Sequence, residues 1–354
     1  MKTKTMTLEF HNGKKFQCQS TVYNSNFYGE IVFTTANIGY IESLTDPSYS
    51  NQILVFSNPN IGSYGLNKHQ LESTRIWPAA IVINTLTVNF SNYTARNTII
   101  NILKKYKVIT LLTSEIREII TEIHSNTKKV KIYCNKAITL PLVKPLLTLY
   151  TQQTNRCIYF KALRPHKILK IMIVDFGNKQ STVNCLTKKT TIFITIVKAH
   201  QIHKELKRLQ PNGILISSGP GNAQTLLKKI KQIKQIIKQL PILGICLGHQ
   251  LIASCLGLKI LKMLKGHHGI NHPIKFINCK KLFISTQNHN YCVHNTNYNN
   301  YFYSMFDLSN QGFILKKKLL ITLQGHPEAA PGNNDVEFIF DKYIAMLKKC
   351  QKIY

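Results

Sequence analysis

One cysteine in this chain stands where a nucleophile would. In Pro241-Ile242-Leu243-Gly244-Ile245-Cys246-Leu247-Gly248-His249-Gln250, an apolar strand runs into Cys246 and an apolar helix starts directly after it. Gly244 and Gly248 sit two residues to either side. This is the pattern of a nucleophile elbow with sulfur in place of a hydroxyl. Flanking glycines allow a sharp strand-to-helix turn, which holds the nucleophile in a strained, exposed position. A helix N-terminus beside the sulfur also favours an anion. Taken alone, G-x-C-x-G suits a buried structural cysteine beside two packing glycines equally well.

A thiolate nucleophile needs a base, and the base needs an orienting partner. Gln324-Gly325-His326-Pro327-Glu328 follows the strand-like Leu319–Leu323 and offers both. Pro327 stiffens the turn. Glu328 can accept from the second imidazole nitrogen of His326 and so fix its tautomer. A third element, Ser218-Gly219-Pro220-Gly221-Asn222, can turn backbone N–H groups toward a developing oxyanion. Separately, H-P-E can be an ordinary surface turn and S-G-P-G a simple strand-to-helix turn. Their joint presence is the more specific signal.

The elements that must position these residues read as an α/β unit over 169–354. Apolar strands are expected at Ile168–Val174, Thr191–Val197, Gly213–Ile216 and Ile242–Ile245, with an amphipathic helix over Ala223–Leu240 closed by Pro241. Strands alternating with helices predict a largely parallel sheet flanked by helices. Ligands bind at the carboxyl ends of such strands, so the loops Asp175–Gly177, Ser217–Gly221 and Gly244–His249 should share one edge. Residues 1–148 read as a smaller α/β unit rich in β-structure. It has short strands at Ile31–Thr35, Ile53–Phe56 and Ala80–Val88, and helices at Ala95–Lys105 and near Ser114–Ile123, where Ser114 is a candidate cap. Residues 149–168 lack a clean period and read as a linker.

Composition narrows the function classes. The 354 residues suffice for two domains, and 44% hydrophobic residues exclude a disordered chain. Lys and Arg total 46 against 15 acidic residues, a net of +31. Such an excess suits a nucleic-acid binder only if the cations share one face. Here they are mostly lysines spread along the chain, beside abundant Ile and Asn. An A/T-rich genome accounts for all three, so no nucleic-acid partner is expected. The nine cysteines include no C-x-x-C pair and no secretory signal precedes them, which points to free thiols. The apolar stretch Ile242–Leu261 is broken by glycines, His249 and Gln250, which argues against a membrane span. His267, His268 and His272 cluster, but no adjacent Cys or carboxylate completes a zinc set, so no metal site is assigned.

G-I-C-L-G-H-Q, H-P-E and the Ser218–Asn222 loop, in this order, resemble the class I, triad-type glutamine amidotransferases over about 169–350. Gly39-Tyr40-Ile41-Glu42-Ser43-Leu44-Thr45-Asp46-Pro47-Ser48-Tyr49-Ser50 and Asn58–Gly65 resemble the N-terminal signature of the carbamoyl-phosphate synthetase small-chain family. Gly266–Pro273 and Gln287-Asn288-His289 are similar to the same family. The resemblance implies a C-terminal class I glutaminase domain with Cys246, His326 and Glu328 as catalytic residues. It also implies glutamine held by Ser48, Gly219, Gly221, Leu247, Gln250, Asn288, Asn290 and Tyr291. The implied partner is a large chain that makes carbamoyl phosphate from bicarbonate and ATP, for arginine and pyrimidine synthesis. No cofactor is expected on this chain; ATP and Mg belong to the large one.

Two departures qualify the match. The family's usual Gly-Phe after Asn288-His289 is Asn290-Tyr291 here, and its Asp-Thr-Arg stretch is not recognisable near Leu112–Glu115. A basic, non-catalytic derivative of the fold is a different class of reading, against which the intact Cys246, His326, Glu328 and Gln250 weigh. Another class I amidotransferase subunit is a third, against which Gly39–Ser50 weighs. Composition suggests an organelle-encoded plastid protein of the stroma, with a bacterial cytoplasm as the alternative.

Overall fold

The computed structural model describes residues 4–22, 25–125, 129–134, 156–159, 168–226, 233–237, 239–277, 279–294 and 301–351. They fall into two compact units, Met1–Leu146 and Leu147–Tyr354.

In the first unit, strands with alternating burial close into a barrel. Its order in space is Lys4–Phe10, Lys15–Ser20, Ile109–Leu112, Ala80–Ile83, Gln52–Phe56, Phe27–Thr34, Lys129–Tyr133. Closure leaves no unpaired edge in this sheet. Successive residues of one strand serve two cores: Ile53 and Val55 join Leu8, Phe33 and Ile132, whereas Leu54 and Phe56 join Leu44, Ile81 and Leu103. The helix expected from Ala95 begins at Ile99, capped by the Thr98 hydroxyl, which accepts from Asn101 N–H. Residues 95–97 are unavailable to it: Leu66 N–H donates to Asn97 O and Arg96 N–H to Leu66 O, a β-bridge that holds this stretch extended. The next helix, Ile116–Ser125, buries Ile116, Ile119 and Ile123 on one face. At its start the Thr113 hydroxyl, rather than the expected Ser114, accepts from Glu115 N–H.

The second unit is built on a ten-stranded mixed sheet. Its parallel centre runs Ile192–Lys198, Leu169–Asp175, Gly213–Ile216, Ile242–Ile245, Leu320–Leu323. Gly213–Ile216, Ile242–Ile245 and Leu320–Leu323 are buried on both faces, which is why they read as continuous apolar runs. One face packs on the helix Leu247–Cys255, the other on Gln180–Lys189 and Phe338–Gln351. Two long strands, Ile260–Phe276 and Leu282–Val293, pair antiparallel and extend the sheet beyond the centre. Part of the stretch read as a linker is sheet instead. Arg156–Tyr159 pairs antiparallel with Ile192–Lys198 and covers what would otherwise be that strand's open edge. Within the expected helix Ala223–Leu240, Ala223–Leu226 is a single 3-10 turn and Ile233, Ile236 and Ile237 are buried; positions 227–232 and 238 lie outside the described residues. The stretch from Ile242 onward is strand, helix and strand in turn, and no helix among the described residues is long and apolar enough to cross a membrane.

Candidate active site

The register of the parallel strands brings the predicted loops together. Val174 aligns with Ile216, Ile216 with Gly244, and Ile245 with Leu323. The segments after Asp175, Ile216, Ile245 and Leu323 therefore leave one edge of the sheet side by side.

Cys246 sits at the turn between its strand and the helix Leu247–Cys255, with φ 51 and ψ −103. An L-residue is rarely found there, and the conformation is locked by Cys246 N–H to Leu323 O and Gln250 N–H to Cys246 O. The strain thus rests on the cysteine itself. The flanking glycines have a different task from the expected one, since neither has a positive φ. A methyl at Gly248 would lie 2.1 Å from Ile216 O, and one at Gly244 would lie 2.5 Å from Ile252 Cδ1. They let the helix settle directly on the neighbouring strands. Burial pushes the thiols of Cys18, Cys185 and Cys255 up to about 12, which suits packing rather than nucleophilic work.

His326 follows the adjacent strand, its N–H bonded to Thr286 O at 2.9 Å. Its Nδ1 lies 2.7 Å from Glu328 Oε1, which leaves Nε2 as the nitrogen toward the sulfur. Both side chains are buried. Burial alone would lower the His326 pKa; the Glu328 carboxylate and then the Cys246 sulfur more than reverse this and hold it well above the ordinary value. Glu328 is the mirror case. Burial would raise its carboxyl pKa, but the Lys179 ammonium and then His326 hold it well below the carboxylate range.

Lys179 is the residue that reading motifs one by one passes over. It is 1% exposed, its Nζ lies 3.3 Å from Glu328 Oε1, and it donates to Ala329 O at 2.7 Å. Ala329 and Ala330 both have positive φ, so the lysine ties down a strained turn as well as neutralising a buried carboxylate. The signal for it was Asp175-Phe176-Gly177-Asn178-Lys179, directly after a strand. There Asp175 Oδ1 accepts from Gly177 and Asn178 N–H and shapes the loop.

The other expected residues divide. In the loop after Gly213–Ile216, a methyl at Gly219 would lie 2.2 Å from Phe176 O, and Gly221 has φ 98, so both positions require glycine. Leu247 opens the helix, where the first N–H groups have no intrahelical acceptor. Asn288 approaches the sulfur through its backbone carbonyl, 3.9 Å from Sγ. Asn290 Oδ1 is engaged by His268 Nε2 at 2.9 Å, while His268 Nδ1 faces Asn288 Oδ1 at 3.2 Å. Tyr291 contributes its carbonyl, which accepts from Gln250 Nε2, and its ring packs against the core. Ser48 belongs to the first unit; its N–H donates to Asp46 Oδ1, and its hydroxyl is buried without a hydrogen-bonding partner. His249 is structural: burial lowers its pKa to about 3, and its Nδ1 meets Thr322 Oγ1 at 2.9 Å. Asp307, distant in sequence, does reach the histidine cluster, 3.2 Å from His267 Nε2. Among the described residues no group of three or more His, Cys, Asp or Glu is arranged to hold a metal ion.

An oriented cysteine, histidine and glutamate at the carboxyl edge of a parallel sheet define a thiol-dependent acyl-transfer site. Residues 172–346 match the family described as glutamine amidotransferase class-I, and residues 8–132 match the carbamoyl-phosphate synthase small chain, CPSase domain. The chain is 36% identical to the carbamoyl phosphate synthase small chain of Buchnera aphidicola subsp. Baizongia pistaciae, over 97% of this chain and 94% of the relative. It is 34% identical to the small chain of Archaeoglobus fulgidus, over 91% and 92%. It is also 34% identical to the arginine-specific small chain of Bacillus subtilis, over 91% of each. The chain belongs to the carbamoyl phosphate synthase small chain family.

Proposed function

We propose that this chain hydrolyses glutamine through a Cys246 thioester and delivers the ammonia to a large-chain partner. The observation that carries the reading is the ordered row Cys246, His326, Glu328, in which the carboxylate fixes Nδ1 and leaves Nε2 to work on the sulfur.

His326 takes the thiol proton, and Sγ attacks the side-chain amide carbon of glutamine. The carbonyl π electrons move to oxygen, where the Leu247 N–H and the Gly219–Gly221 loop are the proposed donors. As the oxyanion collapses the C–N bond breaks, and His326 gives its proton to the departing nitrogen, which leaves as ammonia. Water then attacks the thioester while His326 accepts its proton. The C–S bond breaks, the proton returns to sulfur, and glutamate is released. Gln250, Asn288, Asn290 and Tyr291 are proposed to line the glutamine site; support is the Asn288 carbonyl beside Cys246 Sγ, the bond from Gln250 to Tyr291 O, and His268 between Asn288 and Asn290. For Ser48 the support is the family match and its unpartnered buried hydroxyl; Ser48→Ala tests it through the KM for glutamine.

The large partner would bind ATP and Mg and turn bicarbonate and the ammonia into carbamoyl phosphate for arginine and pyrimidine synthesis. We also propose a plastid stroma as the site of action, supported by the A/T-rich composition. The test of function is glutamine hydrolysis by the purified chain, alone and with a large chain. Activity lost in Cys246→Ser is expected. Hydrolysis that survives this substitution would refute the mechanism.

A further inference from the structure

Besides His326 and the Asn288 carbonyl, a further polar group reaches the sulfur. Gln324 is fully buried, its N–H donates to Gln311 O at 2.8 Å, and its side-chain Nε2 lies 3.6 Å from Cys246 Sγ. Which end of an amide faces a neighbour is settled by the network around it. Here the network gives one answer. Tyr291 O can only accept, so the Gln250 group 3.0 Å from it must be the NH2. The same nitrogen lies 3.1 Å from Gln324, and it can only donate there too. The Gln324 atom it meets is therefore the oxygen, which turns the Gln324 NH2 onto the sulfur. Turning Gln324 round would set two donors against each other in a buried site, a costly arrangement.

We infer that Gln324 is a positioning residue for the nucleophile, its N–H donated to Cys246 Sγ and aimed by a relay from Tyr291 O through Gln250. In this arrangement the sulfur meets the Gln324 carboxamide on one contact and the Asn288 carbonyl on another. The carboxamide cannot take the thiol proton, so it competes with none of the steps assigned to His326. Its donated hydrogen restricts where the sulfur points, and it is strongest when the sulfur carries charge, as it does before attack and again when the thioester breaks. Gln250 then acts through its amide nitrogen as an orienting group, in addition to its proposed place beside glutamine. The inference rests on the thioester reading above.

The test uses the full chain with Gln324→Met, which keeps the length and removes the donor, and Gln324→Glu, which keeps the shape and still accepts from Gln250. Two thiol reagents are compared: iodoacetamide, indifferent to the glutamine site, and a glutamine-shaped chloroketone. Loss of a hydrogen bond to a charged sulfur should lower kcat and both alkylation rates about tenfold or more. KM should change by less than about threefold, and Gln324→Glu should be the slower variant. If iodoacetamide reacts at the parent rate in either folded variant, or if KM rises while kcat holds, Gln324 shapes the pocket and the inference fails. A variant that does not fold is replaced by Gln250→Met, which breaks the relay one step back and should slow iodoacetamide in the same sense; an unchanged rate there also overturns the inference. A parent chain inert to both reagents and to glutamine would instead refute the thioester reading itself.

Discussion

Replacing Lys179 with methionine tests whether a buried cation holds the catalytic pair in place. The ammonium lies 3.3 Å from Glu328 Oε1, with both side chains excluded from water. At an effective dielectric of about 20, the attraction at that separation is about 5 kcal/mol. Part of it offsets the desolvation of the lysine, which the variant no longer incurs. What the variant suffers is a carboxylate left with His326 as its remaining charged partner. Removing one member of a buried pair costs about 3–5 kcal/mol. For a unit of this size, about 3 kcal/mol lowers the melting temperature by roughly 6–12 °C. Scanning calorimetry can follow the second unit's transition. The substitution also removes the first of the charges that lower the Glu328 pKa, so that pKa rises and the acid limb of kcat moves to higher pH. The strained turn at Ala329 loses its anchor at the same time, and kcat should fall by about tenfold to a hundredfold. A variant that melts within about 2 °C of the parent and keeps its acid limb would refute the reasoning, since less than about 1 kcal/mol would then depend on the pair.

The coupling of His326 and Glu328 has its own pH signature. A raised histidine pKa gives stability that is whole below the ordinary 6.5 and is lost as pH climbs through the raised value. A lowered glutamate pKa gives stability that is whole above the ordinary 4.5 and is lost as pH falls through the lowered value. The second unit should therefore show a plateau of stability between pH 4.5 and 6.5 that flattens into the background in Glu328→Gln, as measured by urea midpoints across pH. Gly248→Ala puts a methyl 2.1 Å from a backbone oxygen that cannot step aside, and should cost about 1–3 kcal/mol in the same assay. Asn290→Gly removes the oxygen 2.9 Å from His268 Nε2 and should cost about 1 kcal/mol; a midpoint equal to the parent's would show that the contact contributes nothing net.

Cys246, His326 and Glu328 were legible because each lies in a contiguous motif at the end of an apolar strand, and a parallel sheet gathers such ends. Lys179 was not. A lysine in sequence carries no mark of burial, and its partner lies on another loop; only its place directly after a strand hinted at a role. Asp307 meets His267 through pairings among the outer strands, a register that no local pattern encodes. The same holds for the barrel, where the strands at Ile31, Ile53 and Ala80 were readable but the remaining strands and the closure were not. Local patterns also mislead where long-range bonds intervene: Leu66 detains residues 95–97 from a helix they otherwise suit, and Arg156–Tyr159 is sheet because a neighbouring edge needed a partner. The role of the flanking glycines was misjudged for a related reason. Close approach of a helix to Ile216 is invisible until both elements are placed.

The nucleophile and its base come from neighbouring parallel strands, Ile242–Ile245 and Leu320–Leu323, that are far apart along the chain. The strand carrying Cys246 leaves the ribosome well before the one that aligns His326 beside it. A nascent chain thus carries the thiol without its proton shuttle until the strand Leu320–Leu323 and His326 have also been made. Prematurely terminated products that end before Leu320 would be unable to squander cellular glutamine.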